Sequence, residues 1–61
     1  MPKITAHDIK IGDRIRYANG IATAKIIEMN YIICHAPHMT TVVFHLCDLK
    51  IIDGVIMTNG S

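Results

Sequence analysis

Cysteine and histidine are the residue types in this chain best suited to bind a transition metal. Cys34, His35 and His38 lie close together, and His45 and Cys47 follow after a short interval. A structural zinc site needs four such ligands in tetrahedral convergence. On an extended strand Cys34 and His35 point to opposite faces. His45 lies five residues along its own predicted strand from Thr40, a distance of ~17 Å at ~3.4 Å per residue. We therefore expect no metal site and no cofactor within one subunit, and a site across a symmetry axis is the open alternative.

The cations Arg14, Arg16 and Lys25 form a second candidate site, for an anion or a nucleic acid. If Asn19-Gly20 is a two-residue hairpin loop, Arg14 lies opposite Lys25 on one face of the sheet, and like charges in that position are mildly destabilising. This arrangement suits either phosphate binding or a solvated outer face that deters edge-to-edge aggregation. The net charge of +1 supplies no strong field toward nucleic acid.

Catalysis has little support in the sequence. The chain has five acidic residues, and no two of them form a spaced pair on one predicted element. Its one serine is the terminal Ser61. Cys34 and His35 diverge on a strand and do not suit the roles of nucleophile and base. We therefore expect no catalytic residues and a protein that is not an enzyme.

The residues from Ile9 to Met29 predict the hairpin that would carry these cations. Alternating apolar residues, the dipeptide Asn19-Gly20 and a second β-prone run are a strong hairpin signal. A loop of Asn19 and Gly20 makes the numbers of paired residues sum to 39. The face predicted to join the core then contains five residues: Ile15, Tyr17, Ala22, Ala24 and Ile26.

A second hairpin is predicted from residues 31–35 and 40–45, joined by a loop at Pro37, because proline cannot donate to a central sheet ladder. A loop of two or four residues places Tyr31 opposite Phe44, in the core. The opposite face then carries Ile32, Cys34 and Val43. Because both faces are apolar, we interpret these three residues as a self-association face.

Length and composition fit a single small domain over residues 1–61 that forms a homo-oligomer. The chain is 51% apolar, with a mean hydropathy of +0.35 and twelve isoleucines. A 61-residue chain cannot easily hide so much apolar surface alone. No apolar run is long enough to cross a membrane, and Met1–Lys3 leads into no hydrophobic signal core, so we expect a cytoplasmic protein.

The remaining segments are short. Residues 46–49 predict a turn, residues 50–52 a fifth strand, and Asp53-Gly54 a break. Residues 55–57 predict either a sixth strand or a swapped tail. The prediction is an all-β fold, a small five-stranded barrel with an extra C-terminal strand as an option.

This layout resembles the SH3-like small barrels, including Tudor-like and KOW-like modules. The resemblance covers about Ile9 to Ile52 and lies in the Gly-Asp-Arg-Ile-Arg opening, the tight hairpin and the Asp-Leu turn before the last strand. It implies a binding module for peptides, nucleic acid or copies of itself. The sequence is also similar in layout to type II dihydrofolate reductase, but Val42 and Phe44 stand where that family has the glutamine and tyrosine of its pore strand. That activity is therefore not expected.

From these observations the leading functional prediction is a small protein-interaction or assembly module, a regulator or inhibitor of a larger protein partner. The alternative is a nucleic-acid-binding module that uses Arg14, Arg16 and Lys25. A small-ligand site between subunits comes third.

Overall fold

Strands account for 57% of the computed structural model, which describes residues 4–59. Met1–Lys3, on which the expectation of a missing signal sequence depends, lie outside the described residues. Within residues 4–59 the strands are β1 (Arg14–Tyr17), β2 (Gly20–Ile27), β3 (Tyr31–Ala36), β4 (Thr40–His45), β5 (Leu49–Ile52) and β6 (Val55–Thr58). Three single 3₁₀ turns accompany them: Ala6–Asp8, Pro37–Met39 and Leu46–Asp48. The all-β prediction is confirmed, and the optional sixth strand is present.

The six described strands form one curled sheet with the order β4-β3-β2-β1-β6-β5. Consecutive strands β4 and β5 therefore occupy opposite edges. In a flat sheet those edges would be about 24 Å apart at ~4.8 Å per strand. The 3₁₀ turn Leu46–Asp48 bridges them with a reach of roughly 14 Å, so the sheet must curl. The result is a half-barrel, compatible with a small barrel fold.

The inner face of the curled sheet holds the core. Its most deeply buried side chains are Ile15, Ala22, Ala24, Ile32 and Cys34, each at most 1% exposed. Alanine and cysteine suit the centre of the concave face, where a curled sheet leaves little room between opposite strands. Tyr17 and Phe44 meet nearby with ring centroids 5.3 Å apart at 69°, an edge-to-face contact.

The first hairpin is confirmed, but its predicted register is wrong by two residues. The loop is Ala18-Asn19 rather than Asn19-Gly20, because Tyr17 pairs with Gly20. Gly20 uses its conformational freedom as the first residue of β2, at φ +132°. A shift of two residues preserves the faces, so Ile15 and Ala22 still point into the core. Arg14 now lies opposite Thr23 rather than Lys25, so the predicted juxtaposition of like charges does not occur.

The second hairpin is also confirmed, with a register that is wrong by one residue. Ala36 pairs with Thr40, so the connection has three residues, Pro37–Met39, rather than two or four. An odd connection moves each residue of β3 to the opposite face relative to β4. Ile32 is therefore paired with the core residue Phe44, and Tyr31 with His45. The prediction that Tyr31 lies in the core is wrong, because it is 37% exposed on the outer face.

Candidate interaction surface

A β-bulge at Lys25 determines which apolar residues reach the outer face of the sheet. The pairing of β2 with β3 shifts between Ala24 and Ile26, which leaves Lys25 as the extra residue. Without the bulge, Ile26 would follow Ala24 into the core, as the alternation predicts. With it, Ile26 lies outside and is 47% exposed. Bulges interrupt the alternation of faces in this way and are common beside functional surfaces.

The residue displaced by the bulge joins two others in an apolar row. Ile26 pairs with Ile33 on β3, and Ile33 pairs with Val43 on β4. Directly paired residues share a face, so these three β-branched side chains are neighbours across three strands. Val43 is 51% exposed and Ile33 is half-buried. We call Ile26, Ile33 and Val43 the outer stripe.

The structure does not bring the three residues of the predicted self-association face onto one surface. Of the predicted trio, only Val43 lies on the outer surface. Ile32 and Cys34 are 0% and 1% exposed and belong to the core. The three residues cannot form one surface because the odd connection Pro37–Met39 places Ile32 and Cys34 on the inner face. Sequence reasoning missed Ile26 and Ile33, since neither the bulge nor the length of the connection can be read from composition.

The three predicted cations are all exposed, but the structure brings only two of them together. Arg14 and Arg16 line one groove of about 470 Å³ between the turn at Gly12-Asp13 and the strand residues after Gly54. Lys25 lies at the bulge and does not line this groove. We call Arg14 and Arg16 with this concavity the basic groove.

One carboxylate neutralises part of the positive charge of the basic groove. Asp13 lines it together with the two arginines. Its Oδ2 atom accepts a hydrogen bond of 2.9 Å from the backbone N–H of Lys10, while the N–H of Asp13 donates to the Lys10 carbonyl at 3.0 Å. These bonds close a tight turn whose third residue, Gly12, has φ +97°. The Asp13 carboxylate therefore stabilises the turn. Because two arginines and one aspartate line the groove, it keeps a net positive charge.

The cysteine and histidine residues considered above as metal ligands do not come together in one site. Among residues 4–59 no group of three or more His, Cys, Asp or Glu side chains is arranged to hold a metal ion. Cys34 is buried, and its burial raises the pKa of the thiol to about 11, which disfavours the thiolate a metal would need. Cys47 is exposed, and both cysteines are free thiols.

Within the described residues, no helix is both long and apolar enough to cross a membrane.

Comparison with protein-family models, with curated proteins and with solved structures finds no significant match to this chain. The resemblance to SH3-like barrels therefore rests on layout, and the function must be inferred from the outer stripe and the basic groove.

Proposed function

We propose that this protein is a small non-enzymatic assembly module that self-associates through the outer stripe. The observation that carries the proposal is the row of Ile26, Ile33 and Val43 on the face opposite the core. A fold this small has one core, so apolar side chains aligned on the outer face stabilise the monomer less than buried side chains do. Contiguous exposed apolar surface of this kind is typical of interaction sites.

The half-barrel shape supports placing the module among the SH3-like barrels, a class that mostly binds peptides, nucleic acid or copies of itself. In this proposal the assembled module regulates a larger protein partner in the cytoplasm. Its two free cysteines fit a reducing compartment, since exposed thiols such as Cys47 oxidise readily elsewhere.

A matched pair of charge insertions tests the proposal. Ile26 and Ile21 are both on the outer face of β2 and are 47% and 45% exposed. Ile26 belongs to the outer stripe, whereas Ile21 lies opposite Arg16, away from the stripe. Ile26→Lys should convert oligomers to monomers in sedimentation velocity, because it would bury an unpaired ammonium in the interface. Ile21→Lys should leave the mass unchanged.

Circular dichroism must show that both variants keep the wild-type strand content. Equal weakening of association in the two variants would count against the outer stripe as the contact surface. A wild-type chain that is monomeric even at millimolar concentration would remove self-association altogether.

A second candidate function, nucleic-acid binding, is favoured by the basic groove. Arg14 and Arg16 alternate on β1, so both side chains project from the same face into one concavity. Paired guanidinium groups recognise phosphate well. The proposed ligand is the phosphate backbone, since the groove lining contains no aromatic residue on which bases could stack.

Fluorescence anisotropy with labelled single- and double-stranded DNA and RNA at two salt concentrations tests this candidate. Arg16→Gln should weaken binding and lower the salt slope by about 1 for each phosphate that is no longer neutralised. Lys25→Gln, which removes the same charge outside the groove, should have a smaller effect. Absence of binding at low salt would exclude this function.

A further inference from the structure

The backbone N–H and C=O groups of β4 alternate in direction along the strand. Their direction shows which of them are available at the edge of β4 that no described strand covers. The N–H of Leu46 donates to the carbonyl of Asn30 at 2.9 Å, just beyond the last strand pair. In an antiparallel ladder every second pair exchanges hydrogen bonds. The even-numbered residues of β4 therefore bond to β3. The odd-numbered residues point their N–H and C=O groups away from β3, to the free edge: Thr41, Val43 and His45.

The pairing of β2 with β3 agrees with this assignment. The N–H of Glu28 donates to the carbonyl of Tyr31 at 2.9 Å, so odd-numbered residues at this end of β3 face β2. Even-numbered residues of β3 consequently face β4, as the bond to Asn30 requires. The three outward residues of β4 are all exposed.

Among residues 4–59 no strand pairs with the outer edge of β4, and the sequence of β4 lacks the features that commonly prevent sheets from joining. Residues 40–45 contain no lysine, arginine, acidic residue or proline, and β4 pairs with β3 without a bulge. Natural edge strands are commonly protected by such features. The other edge, β5, carries Lys50 and is shorter. The hydrogen bond from the N–H of Asn59 to the carbonyl of Asp48 shows that only Leu49 and Ile51 of β5 point outward.

We propose that a second copy of this chain adds its own β4 to this edge, antiparallel and centred on Val43. The inference rests on the self-association proposed above and places one of its contacts at the strand edge, where Val43 forms the end of the outer stripe. Val43 would exchange both backbone hydrogen bonds with Val43 of the partner subunit. Thr41 would do the same with His45 of the partner subunit, and His45 with Thr41 of the partner subunit.

Two features of the chain select this register. It pairs outward-pointing residues with each other throughout, whereas a shift by one residue would oppose them to groups already bonded to β3. A shift by two residues would leave one reciprocal pair fewer. The chosen register also makes the outer stripe continuous across the two-fold axis, because Val43 lies at the end of the row that begins at Ile26. The interface uses the same strand on both copies, so it closes as a dimer.

Backbone N-methylation tests the geometry without changing any side chain, and a 61-residue chain is accessible to chemical synthesis and ligation. N-methylation of Val43 removes the central donor and places a methyl group in the proposed interface. We expect the dimer dissociation constant to rise by about 30-fold or more, with the monomer fold retained. N-methylation of Ile51, which blocks an outward N–H on β5, is the matched control and should leave the constant unchanged.

The possible outcomes distinguish edge pairing through β4 from self-association through the outer stripe. A dimer that survives methylation at Val43 would overturn edge pairing while leaving self-association through the outer stripe intact. Weakening by the methyl group at Ile51 would also overturn it, in favour of β4 pairing with β5. A wild-type chain that stays monomeric at all concentrations would remove both proposals.

Amide hydrogen exchange of the unmodified chain gives a second readout that needs no variant. The amides of Thr41, Val43 and His45 should exchange rapidly in dilute protein and become protected as concentration rises. Those of Val42 and Phe44, bonded to β3, should be protected at both concentrations. Unchanged exchange at Val43 in a concentration range where the mass doubles would overturn the proposal.

Discussion

Ile32 and Ile33 are adjacent residues of the same type with opposite surroundings. Ile32 is fully buried against the strand that carries Phe44. Ile33 lies on the outer face between Ile26 and Val43. The comparison of these two faces of β3 shows that apolar composition alone cannot distinguish a core from an interface. Strand register makes the distinction, because a shift of one residue exchanges the two sets.

The difference originates in the connection Pro37–Met39. Its three residues make the register odd, and two of them, His38 and Met39, have positive φ angles of 64° and 61°. This left-handed conformation is unfavourable for residues with a side chain. The packing of Ile32 and Cys34 on the inner face of the half-barrel stabilises the register that requires this conformation.

The largest expected effect is the stability difference between the two isoleucines. Ile32→Ala should lower the free energy of unfolding by about 2–5 kcal/mol, since it removes buried methylene and methyl groups and leaves a cavity. Ile33→Ala should cost about 1 kcal/mol or less in the monomer, because the site is already partly solvated. Urea denaturation at low protein concentration measures both.

For self-association, the expected order of the two variants is reversed. Ile33→Ala should weaken self-association, whereas Ile32→Ala should do so only as far as it unfolds the chain. Equal destabilisation of the monomer by both variants would refute the assignment of β3 faces.

Local sequence signals were sufficient for much of this fold. The alternating run before Asn19 and the β-branched run from Thr40 to His45 predict strands by intrinsic preference. Asp53-Gly54 predicts the break before β6, where both residues have the positive φ angles of a type I′ hairpin turn. These features depend on a few neighbouring residues, so the all-β class and the positions of the strands follow from the sequence.

The outer stripe could not be predicted because it depends on two changes of strand register. Neither change is marked by a recognisable pattern in the neighbouring residues. The bulge at Lys25 expels Ile26 from the predicted core. The odd connection Pro37–Met39 removes Ile32 and Cys34 from the predicted self-association face. Arg14 and Arg16, by contrast, lie together on the outer face as predicted, because alternation within β1 is local.

The second expected effect concerns pH and tests whether Cys34 lies inside. Burial raises the pKa of this thiol from 9.0 to about 11 in the folded protein. Below pH 9 both states keep the proton and stability is unaffected. Between pH 9 and 11 the unfolded chain releases its proton first, so stability falls, by an amount on the order of 2 kcal/mol. Urea denaturation across this range should show the decrease.

Two cysteine variants isolate the contribution of Cys34 to this pH dependence. Cys34→Ala should remove this part of the pH dependence, whereas Cys47→Ala, at an exposed position, should retain it. An identical pH dependence in wild type and Cys34→Ala would contradict a buried thiol and with it the inward orientation of this part of β3.

The smallest expected effect compares neighbouring valines on the edge strand. Val42 is half-buried on the inner face opposite Cys34, and Val43 is on the outer face. Threonine has almost the shape of valine, so substitution chiefly adds a hydroxyl group. Val42→Thr should destabilise the monomer by about 1 kcal/mol because the hydroxyl is partly desolvated. Val43→Thr should change monomer stability by less than about 0.5 kcal/mol while weakening association. Stability that falls more for Val43→Thr in dilute protein would place Val43 inside, and the outer stripe would then lack the residue that joins it to the free edge.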